Sequence, residues 1–187
     1  MTKAEYKTKA DFLCSQAATT GEHQFAIMRL YSLFEKFIED IFLDYCYLKK
    51  DYSKRKLIRK IDFNVTSRDE VKKFFLVNKA GRTIYIEPYK TLTLFRELIF
   101  DIGNDPFAFI FINATFADVI REIISIRNYI AHESEESKTT YIKDCLYSRP
   151  FIDVNTFLLT KRNTKNANTN FAHYFETVFM IVDTLLP

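Results

Sequence analysis

The chain has 187 residues, long enough for one domain to bury a core without disulfides or metal staples. Only 3 glycines and 4 prolines accompany 48% apolar and 16% aromatic residues, which argues against turn-rich β and doubly wound folds and leaves no glycine-rich phosphate loop or dinucleotide fingerprint. The formal charge of +3 neither demands nor forbids a nucleic-acid partner.

The expected architecture is mainly all-α, a single domain over 1–187 with at most one short strand or hairpin. Cys14, Cys46 and Cys145 are odd in number and share no Cys-x-x-Cys spacing, so they read as reduced thiols and not as a zinc site. The segment from Met1 to Asp11 is charged, and no run reaches the roughly 18 apolar residues of a membrane span. The expectation is a cytoplasmic protein without a membrane, metal or cofactor.

In chain order, Lys3 to Ala18 predicts an amphipathic helix stopped near Gly21, packed on a long helix from Gln24 to Leu48. The stripe of that second helix is Ile27, Leu30, Tyr31, Phe34, Phe37, Ile38, Ile41, Phe42, Tyr45 and Leu48, with Glu35 at its edge. Residues 49–60 then carry Lys49, Lys50, Lys54, Arg55, Lys56, Arg59 and Lys60 against Asp51 alone. This run is either a solvated helix face or an RNA backbone track. Ser67 and Glu70 form a capping-box pattern before a helix from Val71 to Val77, with Gly81 as its stop. Arg82 to Glu87 alternates like a short strand that ends at Pro88. A helix over Thr91 to Phe100 is broken at Gly103 to Pro106, and Phe107 to Ile112 is too short to classify by period.

The pattern from 116 to 131, capped by Thr115, is the most informative. Wound at about 100° per residue, Phe116, Val119, Ile120, Ile123, Ile124, Ile126, Ile130 and Ala131 form one apolar stripe with Arg127 in its middle. An arginine there must snorkel or find a buried anionic partner, for which Glu35 is the candidate. Arg121, Ser125, Asn128 and His132 run down the other side as a seam, so Asn128 and His132 are neighbours. Glu133 to Lys138 reads as an exposed acidic turn, Phe151 to Leu159 as a short helix, Lys161 to Asn170 as a basic loop, and Phe171 to Leu185 as the closing helix.

An arginine and a histidine at this spacing are what RNA backbone cleavage requires. The 2′-hydroxyl attacks its own phosphodiester when a base such as His132 takes its proton and a cation such as Arg127 steadies the phosphorane, with Asn128 as orienting group. The rival reading is structural: Arg127 paired to Glu35 inside a bundle, with His132 merely ending a helix. His23 and His173 have no such neighbours in sequence.

The stretch Arg127-Asn128-Tyr129-Ile130-Ala131-His132 resembles the Arg-x4-6-His signature of the HEPN superfamily, in which a polar residue, often Asn, follows the Arg. Leu30-Tyr31-Ser32-Leu33-Phe34-Glu35 is similar to the Tyr-Ser-x-x-Glu helix of the small MAE-type HEPN nucleases. The resemblance runs from about residue 20 to the end of the chain. It departs after the histidine, where related sequences commonly have Gly and this chain has Glu133. The resemblance implies an up-and-down helical bundle and a homodimer that joins two Arg-His motifs in a cleft. It also implies a metal-independent endoribonuclease that leaves 2′,3′-cyclic phosphates, in a toxin–antitoxin or antiphage setting, with an antitoxin or defence partner. Arg127, His132 and Asn128 are then catalytic, Glu35 is supporting, and Lys54, Arg55, Lys56, Arg59, Lys60 and Arg121 are candidates for holding RNA. The alternative within the family is a non-catalytic module that binds a nucleotide, RNA or protein.

Overall fold

The longest helix organises the rest. In the computed structural model, which describes residues 1–48, 56–61, 64–76, 81, 86–162 and 168–186, α2 (His23–Leu48) packs against five other helices. These are α1 (Lys3–Thr20), α3 (Arg68–Leu76), α6 (Ala114–His132), α8 (Val154–Leu159) and α9 (Asn170–Leu185). Shorter helices α4 (Lys90–Ile99), α5 (Ala108–Ile112) and α7 (Glu135–Asp144) complete an all-α bundle, and no strand occurs among the described residues.

The apolar repeat of α2 explains its place. Ile27, Leu30, Tyr31, Phe34, Phe37, Ile38, Ile41, Phe42 and Tyr45 are all buried, so the helix presents a broad stripe to a single core. Leu48, expected in that stripe, is the last residue of the helix and is 54% exposed. Phe42 anchors an aromatic cluster with Phe75, Phe95, Phe100 and Phe107 at ring distances of 5.9 to 6.5 Å, which ties α3, α4 and the segment before α5 to α2.

Helix ends follow local chemistry. Thr2 and Glu5 close a capping box on α1, and Gly21 ends it with a left-handed φ of 75°. Ser67 Oγ accepts from the N–H of Glu70 at 3.2 Å, as its spacing predicts, whereas the Glu70 carboxylate accepts from the Thr66 N–H at 2.7 Å. The predicted strand falls on residues 82–85, outside the described residues, and its last two positions, Ile86 and Glu87, are irregular. Phe107 to Ile112 resolves into α5.

Two expectations around the motif helix are corrected. The N-cap is Asn113, whose Oδ1 accepts from the Phe116 N–H at 3.3 Å, so α6 starts before Thr115. The expected exposed turn after His132 is instead the start of α7. Ser134 and Ser137 cap it reciprocally, at 3.2 Å from the Ser137 N–H to Ser134 Oγ and 3.1 Å from the Ser134 N–H to Ser137 Oγ.

Candidate functional site

The site is built where α6 packs against both α7 and α2. Glu133 adopts φ 47° and ψ 26°, a left-handed cap that ends α6 and lets Ser134 begin α7 at once. The two helices are fastened by Ser125 Oγ donating to Asp144 Oδ2 at 2.5 Å and by the parallel rings of Tyr129 and Tyr141, 5.3 Å apart. Ser125 is thereby buried, so the predicted polar seam is not uniformly solvated: Arg121 and His132 are exposed and Asn128 is half-buried.

Beside this pair of helices lies a cavity of about 590 Å³. Arg127 and Asn128 line it from α6, Tyr31 and Glu35 from α2, and Glu87 and Tyr89 from the chain before α4. The Arg127 Nη1 donates to Asn128 Oδ1 at 2.9 Å, which fixes one edge of the guanidinium. Arg127 and Glu35 therefore share a cavity, but among the described residues no ion pair joins them. Arg127 acts on Glu35 only at longer range, favouring its charged form. Burial is the larger influence and pushes the Glu35 carboxyl above its ordinary value, against the Tyr31 hydroxyl, which favours the carboxylate as a hydrogen-bond partner. Tyr31 is raised in turn by burial and then by Glu35 and Glu87. These mutual effects place the two carboxylates and the phenol in one electrostatic neighbourhood.

His132 is the last residue of α6 and is exposed. It does not border the cavity that Arg127 and Asn128 line. Arg127 and His132 are separated by about 7.5 Å along the helix axis and by about 140° around it.

Of the six residues expected to hold RNA, Lys54 and Arg55 lie outside the described residues. Lys56 and Lys60 are exposed, and Lys60 Nζ donates to the Glu97 carbonyl at 3.0 Å. The Nη1 of Arg59 donates to the Cys46 carbonyl at 3.2 Å, near the end of α2, a task of holding the fold together. None of these three borders the cavity, whereas Arg121 lines it and pairs with Asp118. No group of three His, Cys, Asp or Glu side chains suited to a metal ion occurs among the described residues.

Sequence reasoning missed a second polar centre. Glu122, 1% exposed, accepts from Arg162 Nη1 at 2.6 Å and Nη2 at 2.9 Å, from the Tyr174 hydroxyl at 2.8 Å and from the Tyr147 hydroxyl at 2.9 Å. The available signal was position: Glu122 stands three residues after Val119 and four before Ile126, on the flank of the apolar stripe where a carboxylate needs a partner. Glu87 and Tyr89 were likewise not singled out for the cavity, because the alternation of 82–87 reads as a strand and says nothing of which helices this stretch lies beside.

Compared with protein-family models, curated proteins and solved structures, the chain finds no match.

Proposed function

We propose that the chain is a metal-independent endoribonuclease of HEPN type. The 2′-hydroxyl of RNA attacks the adjacent phosphodiester, His132 transfers the proton, and Arg127, held at one edge by Asn128, steadies the charge on the phosphorane. These side chains supply proton transfer and charge stabilisation without a metal ion. Glu35, across the cavity from Arg127, balances the cation and helps to orient it. The observation that carries the reading is that one helix brings Arg127 and Asn128 to the rim of a half-enclosed cavity and ends, little more than one turn on, in an exposed histidine.

In this reading a homodimer brings the two exposed His132 side chains to a shared cleft, so that one serves as base and its mate as acid. The setting is cytoplasmic, as a growth-arresting or antiphage toxin with a cognate antitoxin or defence partner. The direct test of the chemistry is an RNA substrate beside its 2′-O-methyl counterpart in excess EDTA. The reading expects cleavage of the first alone, with 2′,3′-cyclic phosphate ends, and cleavage of both would remove it.

One observation favours a second reading. His132 does not border the cavity that Arg127 lines, which suits a non-catalytic module that binds a nucleotide, RNA or a protein partner. Tight RNA binding with no cleavage over a range of pH would select it.

A further inference from the structure

The ribonuclease reading uses the cations of the α2–α6 cavity, gives Glu35 only the orienting of Arg127, and leaves Glu87 without a task. Glu87 Oε2 accepts from the Lys90 N–H at 2.7 Å, and its Oε1 has no hydrogen-bond partner among the described residues. Glu35 is half-buried at the same cavity, and neither carboxylate has an ion-paired cation among the described residues. Each raises the cost of charge in this neighbourhood, and Arg127 offsets that only in part. A ligand edge rich in N–H donors would relieve the acceptors, because a carboxylate can take two parallel hydrogen bonds.

The size and walls narrow the ligand. A volume of about 590 Å³ lies inside the range of roughly 300 to 1,000 Å³ typical of small-molecule sites, so one nucleotide fits. Tyr89, held by its ring contact with Phe111 at 5.8 Å, offers an aromatic wall for a base. Among the four RNA bases, guanine alone sets a ring N–H next to an exocyclic amine on its pairing edge. In adenine and cytosine the amine adjoins a ring nitrogen acceptor, which a carboxylate repels, and uracil flanks its single N–H with two carbonyls.

We propose that the cavity binds a guanine base, with Glu35 and Glu87 accepting from its N1–H and N2–H groups, Tyr89 stacking on its face and Lys90 at the rim taking its phosphate. This rests on the ribonuclease reading and adds to it that cleavage is directed by a guanosine beside the scissile bond.

The test is calorimetric titration of the full chain with 5′-GMP, AMP, CMP and UMP, using wild type, Glu35→Gln, Glu87→Gln and Tyr89→Leu, each first shown to be folded by circular dichroism. GMP should bind at least about tenfold more tightly than the others. Both glutamine variants should lose that preference, and Tyr89→Leu should weaken all four ligands alike. Equal affinity for the four nucleotides, no binding at millimolar concentration, or a preference for GMP that survives both glutamine variants overturns the proposal. Mapping RNA fragment ends separates the two ideas. Cleavage without regard to guanosine sinks the base site and leaves the ribonuclease, whereas selective GMP binding without any cleavage sinks the ribonuclease and leaves the base site.

Discussion

Arg162 grips Glu122 with two parallel hydrogen bonds, at 2.6 and 2.9 Å, across 40 positions of sequence. The pair ties the middle of α6 to the chain that leads into α9, and the hydroxyls of Tyr174 and Tyr147 fill the remaining acceptor positions of the carboxylate. A charge so enclosed is tolerable only while its partners stay in place.

Removing one member should therefore be expensive. Glu122→Ala is expected to cost about 3 to 5 kcal/mol, because it leaves the Arg162 guanidinium and two tyrosine hydroxyls without their acceptor. The joint replacement Glu122→Met with Arg162→Met should recover a large part of that loss. Urea unfolding measures both, and a loss below about 1 kcal/mol for Glu122→Ala would show the pair to be incidental.

The cap between α6 and α7 makes a second prediction. Glu133 holds a left-handed conformation with φ 47°, which costs a residue with a Cβ roughly 1 to 2 kcal/mol, and its peptide N–H donates to the Tyr129 carbonyl at 2.9 Å. Glu133→Gly should raise stability by about 0.5 to 1 kcal/mol, after allowing for the extra freedom of glycine in the unfolded chain. Glu133→Ala serves as the control, since it removes the charge and keeps the Cβ. If thermal denaturation shows the same gain for both, the effect is electrostatic and the backbone account is wrong.

His173 gives the fold a pH dependence. Burial, and then the nearby Arg162, hold its imidazole below the ordinary value of 6.5, against weaker opposing effects of Glu122 and Glu176. The neutral ring is the form the fold prefers. Its contribution is thus complete above the unfolded value and is lost as pH falls through the lower folded value. His173→Gln should flatten the decline in unfolding free energy between about pH 7 and pH 5. An unchanged slope in that window would assign the acid sensitivity to other groups.

What the sequence makes legible follows from packing. In α2 the apolar side chains recur at helical spacing, so its span and most of its buried face can be read; Ala26, Leu43 and Cys46 are buried besides, and Leu48, in the last turn, is exposed. Helix α7 hides because its sequence is polar: it buries only Ser137 and Tyr141, and it is capped by Ser134 and Ser137 where a Glu would advertise a capping box. The residue pair that matters most for the site is half legible. Winding α6 puts Arg127 in line with its apolar stripe and implies an enclosed environment, which the cavity supplies. The same winding cannot say that Arg127 donates to Asn128 while Glu35 stays beyond ion-pair reach, since that depends on how α2 and α6 cross. Glu122 and Arg162 meet only through the tertiary fold, so neither position alone announces the other.

Cleavage of RNA by purified protein in excess EDTA, with wild type beside Arg127→Ala and His132→Ala at matched folding and oligomeric state, bears most directly on the ribonuclease reading. The account predicts fragments with 2′,3′-cyclic phosphate ends from the wild type, a rate at least about a hundredfold lower for each variant, and unchanged unfolding free energy for His132→Ala. A His132→Ala protein that cleaves as fast as the wild type would contradict it.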